Sequence, residues 1–192
     1  MKDLQNFLTD NKEKIHDLLN HMWQSIERIA LQLENVIPDI DLDNSHGNFI
    51  RLNDGWDESF YANPTIIFPY GEIGFSLDGL FCVFSLTTKK IDESHLAKFM
   101  QLPRDHEFLT VELYGGDDSF TTFYNSNNEE DVDEIMKSVK NSKEEVLQLE
   151  ISLDTISDEE QKNTLIETIT SLYDFLKKKN LLAKLPQYTS SE

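Results

Sequence analysis

Cysteine, long apolar runs and positive charge are all scarce in this chain. Its one cysteine, Cys82, cannot close an internal disulfide. That residue lies in the run Leu80-Phe81-Cys82-Val83-Phe84, where a thiol packs as a small hydrophobe, so a reducing, cytoplasmic setting is expected. No stretch reaches the ~18 uninterrupted apolar residues of a membrane span. The N-terminal segment turns polar before a signal-peptide core could form, and no such peptide is expected. Lys and Arg total 17 against 36 Asp and Glu, a formal charge of −19. A field of that sign repels phosphate and anionic lipid, so the expectation is no direct nucleic-acid contact and no membrane contact.

Several chemical signatures are missing as well. There is no Gly-x-Ser-x-Gly elbow, no Ser-x-x-Lys and no second ingredient near Cys82 for nucleophilic catalysis. Gly71 and Gly74 stand between strand candidates with no helix following, so they serve a turn or bulge and not a phosphate cradle. Among the five histidines, His16 and His21 are five apart and face different sides of a helix, and no His-Glu-x-x-His occurs. No cofactor is expected. His46, beside Gly47 and an acidic run, is the one histidine worth probing.

What remains is a chain with enough apolar material for a core, 39% hydrophobic and 10% aromatic, and these fractions exclude disorder over the whole length. The expected fold class is α+β: an antiparallel meander sheet packed against a long N-terminal helix and C-terminal helices. One domain should span residues 1–185, with a frayed tail at 186–192. Residues 1–37 are assigned to the helix, which should begin near residue 4. Ile15, Leu19, Met22, Ile26, Ile29, Leu33 and Val36 recur at alternating steps of four and three, and Pro38 stops the run. Leu18, Trp23 and Ala30 widen this seam toward packing on a sheet or helix. A homodimeric coiled coil through residues 15–36 is the rival reading.

Residues 47–125 carry 15 of the 20 aromatics in short runs broken by turn pairs, which identifies the sheet region. Asn53-Asp54-Gly55, Asp78-Gly79 and Gly115-Gly116-Asp117-Asp118 are hairpin turns by composition. Ile73, Phe75 and Leu77 alternate with Glu72, Gly74 and Ser76, so this strand has one wet face. Residues 80–86 are apolar on both faces and should form a central strand, whereas 65–69, flanked by Pro64 and Pro69, should be an edge. A short helix is expected over 92–101, ending before Pro103. Helices are then expected over 128–182. Val132, Ile135, Met136 and Val139 mark a stretch over 128–141, and Val146, Leu149 and Leu153 mark a second over 143–153, as one helix or two. Ser157 and Glu160 have capping-box spacing ahead of a helix running to about Lys179, whose terminal lysines Lys177, Lys178 and Lys179 compensate the helix dipole.

Candidate functional residues follow from charge. Residues 129–160 hold 12 acids and three lysines. Within them Glu129, Glu130, Asp131, Asp133 and Glu134 form a landing surface for a basic protein, or a solvated helix start. Trp56, Asp57 and Glu58 add an aromatic anchor inside an acidic rim. Asp39, Asp41 and Asp43 repeat at the one, three, five spacing of a calcium loop. Asn44 stands where that loop needs Gly, and Ile50 where it needs a bidentate Glu. The functional expectation is an acidic interaction protein that binds and regulates or neutralises a basic protein partner. The alternative is a small-ligand binder or hydrolase with its site between sheet and long helix, using acids with His46 or His106.

Overall fold

The computed structural model describes residues 6, 9–37, 40, 50–52, 60–62, 65–76, 79–115, 118–123, 132–153 and 159–185. Among them the fold is α+β, with helices packed on an antiparallel sheet. The elements in chain order are α1 (Lys12–Leu33), β1 (Ile50–Leu52), β2 (Phe60–Ala62), β3 (Thr65–Phe68), β4 (Gly71–Ser76), β5 (Gly79–Thr87), a 3₁₀ turn (Thr88–Lys90), α2 (Glu93–Asp105), β6 (Leu109–Gly115), β7 (Asp118–Phe123), α3 (Val132–Asn141), β8 (Val146–Leu153) and α4 (Glu159–Lys178). β1 and β2 pair with each other, and the other six strands form one sheet in the order β3-β4-β5-β8-β6-β7.

The main departure from the sequence reading is β8. Residues 143–153 were expected to be helical from Val146, Leu149 and Leu153, yet Val146–Leu153 is a strand at the centre of the sheet, paired with β5 on one side and β6 on the other. Its decisive pattern has period two: Leu147, Leu149, Ile151 and Leu153 are buried, whereas Gln148, Glu150 and Ser152 alternate with them at intermediate exposure. Two neighbouring strands supply the ladder partners that outweigh Leu and Glu helix propensity. The hairpins β4-β5 and β6-β7 form as expected, β3 pairs with β4 at the sheet edge, and β8 lies between β5 and β6.

α2 also runs past its expected stop, with Pro103 inside it. Proline there removes one helical donor near the C-terminus, and the helix still closes through His106 N–H to Leu102 O at 3.0 Å. Its start is a capping box: Asp92 Oδ1 accepts from His95 N–H at 3.1 Å, and His95 Nδ1 accepts from Asp92 N–H at 3.2 Å. The box expected at Ser157 lies outside the described residues.

Among the described residues, α1 to α4 all pack on one face of the sheet. α1 packs on β3, β4 and α4, Tyr173 of α4 sits 6.3 Å from Phe84 of β5, and α2 and α3 cover β6 and β7. Ile26, Ile29, Leu33, Leu165, Ile169 and Leu172 join Leu80, Cys82, Phe84, Val111, Leu149 and Ile151 in a single core cluster. The apolar seam of α1 is therefore spent on the sheet from Ile26 onward, while Leu18, nearer its start, is about half exposed.

Gly71 lies in the inner row between Phe68 and Phe84. A Cβ there would stand 1.8 Å from the Val83 carbonyl oxygen, and its absence lets the two rings meet edge to face at 5.9 Å. Gly79 opens β5 at φ 144°, a conformation that side-chain-bearing residues rarely adopt.

Candidate acidic face of the sheet

Because every described helix covers the same face, the pleat assigns alternate residues to the other one. Register places Glu72 opposite Val83, Val83 opposite Glu150, and Glu150 opposite Glu112. Three glutamates thus share one row across β4, β5, β8 and β6. Directly opposed residues are about 5 Å apart and those two strands apart about 10 Å. The adjacent row carries Ser85, Gln148 and Tyr114. Tyr114 Oη donates to Glu150 Oε2 at 3.4 Å.

This face is partly withdrawn from water. Glu72, Glu112, Glu150 and Tyr114 are half-buried, and Val83 and Ser85 are buried. Burial raises the Glu72 carboxyl above its ordinary value. Glu150 is raised by burial first and then by the charge on Glu112, with the Tyr114 hydrogen bond opposing and Glu72 adding a smaller push. The Tyr114 phenol moves up for the same causes, burial and then the negative charges of Glu150 and Glu72. Cys82, on the helix-covered face, is pushed well up by burial and then by Glu72 and Glu150. Removing a proton anywhere in this row adds negative charge to a neighbourhood that already holds it. A cation laid along the row offsets that cost, and without one the Glu72 and Glu150 carboxyls hold protons more tightly than exposed glutamates do.

Trp56, Asp57, Glu58, Glu129, Glu130, Asp131, Asp39, Asp41, Asp43 and His46 are outside the described residues. Asp133 and Glu134 are exposed in the first turn of α3 and are not part of the glutamate row. Among the described residues, no group of three or more His, Cys, Asp or Glu is arranged to hold a metal ion. None of the described helices is long and apolar enough to cross a membrane.

A second feature is a cleft of about 230 Å³ between α2 and α4, bordered by Lys98, Asp105, His106, Thr164, Glu167 and Thr168. It lies between two helices and includes His106, one of the two histidines of the alternative ligand-binding reading. Thr164 and Thr168 donate their hydroxyl protons to the carbonyls one turn earlier, at 3.0 and 2.8 Å. Asp105 Oδ1 already accepts from Gln101 Nε2 at 2.6 Å. The cleft is smaller than the ~300–1,000 Å³ of typical ligand pockets.

Glu72 was legible as a wet-face residue of an alternating strand. The pattern Leu109, Val111, Leu113 against Thr110, Glu112, Tyr114 would have placed Glu112 the same way. Glu150 was hidden by the helical reading of its segment, and without it the row has no centre.

Residues 12–167 match the family model described as Protein of unknown function (DUF3201). The chain belongs to that family. The matched span contains Glu72, Glu112 and Glu150 and ends within α4. A solved structure of a conserved hypothetical protein from Pyrococcus furiosus is 24% identical, with 88% of this chain and 98% of that chain covered at a TM-score of 0.57. This likeness concerns the fold alone. None of the curated proteins compared with the chain matches it.

Proposed function

We propose that this protein is an acidic interaction module that takes a basic segment of a protein partner along the outer face of its sheet and regulates that partner by occupying its positive surface. The observation that carries the reading is the row Glu72, Glu150, Glu112, which concentrates like charge in a half-buried setting. A Lys or Arg side chain laid beside Glu150 offsets the negative charge gathered in this row, which favours complex formation. The formal charge of −19 supports the reading because it raises the rate of encounter with a cationic partner.

The test is a titration with a fluorescent oligolysine peptide at rising salt, for the parent chain and for a triple variant Glu72→Gln, Glu112→Gln, Glu150→Gln. The expected result is saturable binding that weakens with salt and falls at least about tenfold in the variant, a ~1.4 kcal/mol loss. Equal binding by the two proteins rejects the sheet face as the site. Folding of the variant is checked by its circular dichroism and urea midpoint.

A further inference from the structure

The cleft between α2 and α4 lies on the helix-covered side of the sheet, away from the glutamate row, and its two ends differ in chemistry. The helices meet where the His95 and Phe175 rings lie edge to face at 5.9 Å. From that contact the cleft runs to Asp105 on α2 and Thr164 on α4, so residue numbers rise along one wall and fall along the other. The helices are antiparallel. Counted from the His95–Phe175 contact, Lys98 is level with Leu172 and Leu102 with Thr168. Lys98 and Asp105 are seven residues apart, two turns or about 10.5 Å. Leu102 and Leu172 are buried and give the cleft an apolar floor between those two ends.

The Asp105 end offers acceptors. Thr164 and Thr168 spend their hydroxyl protons on the carbonyls of Glu160 and Thr164, so toward the cleft each oxygen can only accept. Glu167 adds a carboxylate, and Asp105 keeps Oδ2 after Oδ1 has taken the Gln101 amide proton. Such a set suits an ammonium group. At the other end Lys98 is the cation, and it suits a carboxylate. Among the described residues no ion pair joins Lys98 to Asp105 or Glu167, so the opposite charges lining the cleft do not neutralise each other by contact.

We propose that this cleft binds a small ω-amino acid, a free molecule with a carboxylate and an ammonium at the two ends of a short aliphatic stem. The carboxylate pairs with Lys98, the stem lies on Leu102 and Leu172, and the ammonium is received by Glu167, Asp105 and the Thr168 oxygen. Size and charge both select this class. A cavity of roughly 150 Å³ takes benzene, so about 230 Å³ admits about nine non-hydrogen atoms, the number in 6-aminohexanoate. Its extended length of roughly 7–8 Å fits within two helical turns. A chain of formal charge −19 repels a simple carboxylate, whereas a zwitterion carries no net charge and avoids that cost.

The experiment follows the backbone amide resonances of the full chain by NMR at pH 7 and physiological salt while 6-aminohexanoate is added to about 50 mM. Saturable shifts are expected at Lys98, Leu102, Asp105, Glu167 and Thr168, with a Kd of about 1–10 mM for a ligand of this size. Hexanoate and hexylamine each keep one charge and should bind at least about fivefold more weakly, because either leaves one end of the cleft unpaired. Lys98→Gln and Glu167→Gln should each weaken 6-aminohexanoate by a similar factor, and Glu134→Gln, on α3, should leave it unchanged. Both cleft residues are exposed, and the same spectra report whether each variant keeps the parent fold. No saturable shift in the cleft up to the highest concentration overturns the proposal. So does equal binding of hexylamine, or binding that survives both cleft substitutions in folded variants. None of these results bears on the sheet face, since the probe is not a basic peptide.

Discussion

Replacing Glu150 with Gln should stabilise the protein at neutral pH. Glu150 and Glu112 are directly opposed on β8 and β6, and like charges so placed destabilise a sheet by roughly 0.2–1 kcal/mol. At about 5 Å a bare Coulomb term is ~0.8 kcal/mol in water and ~3 kcal/mol at an effective dielectric of 20, so partial burial moves the effect to the upper part of that range. Gln keeps the side-chain oxygen that accepts from Tyr114, and that 3.4 Å bond is long enough to contribute little. The expected gain is about 0.5–1 kcal/mol, or a rise of about 1–4 °C in Tm for a chain of this size. The pH dependence fixes the cause. The Glu150 carboxyl is raised in the folded state above its ordinary value of 4.5. Its relative stabilisation of the fold is therefore fully present below the unfolded value and is lost as pH rises through the folded one. The advantage of the variant should appear across that window and vanish near pH 4. Urea denaturation at pH 7 and pH 4 reads both, and a cycle with Glu112→Gln isolates the pair. A variant destabilised by 1 kcal/mol at pH 7, or a gain that does not change with pH, would refute the repulsion argument.

Three further outcomes test the packing. Leu149→Ala should cost about 2–5 kcal/mol because Leu149 is fully buried between Phe84 and Leu113, while Gln148→Ala, on the outer face, should stay within about 1 kcal/mol; thermal melts of the two separate a strand from a helix at this segment. Gly71→Ala should cost on the order of 3 kcal/mol in urea unfolding, since the added Cβ meets backbone at Val83 O, and a neutral result would mean that β4 and β5 are not in this register. Asp92→Ala should cost about 1 kcal/mol through the lost cap of α2. The Asp92 carboxyl is held below its ordinary 3.8 chiefly by the Ser94 hydroxyl, so this contribution is present at neutral pH and lost as pH falls below that value; calorimetry at pH 7 and pH 3 should show the difference between parent and variant closing.

The sequence reading reached the helices where one periodicity dominates. Ile26, Ile29 and Leu33 in α1 and Leu165, Ile169, Leu172 and Leu176 in α4 leave no alternative to a period of 3.6, and Ile73 with Gly74 and Ser76 leaves none to a period of two. At 146–153 both periods fit part of the apolar set, so local pattern alone could not choose between them.

What the chain determines locally is therefore the α+β class, the wet and dry faces of β4 and the acidic excess. Tertiary structure alone decided that Val146–Leu153 enters the middle of the sheet, and that choice put Glu150 beside Glu112 and within two strands of Glu72. It also brought residues 79–91 against 175–185, where Thr87 N–H donates to Leu181 O and Ala183 N–H donates to Ser85 O. The physical reason is the same in both cases: propensity and periodicity act over a few neighbouring residues, while strand pairing and core burial determine which distant residues share a surface.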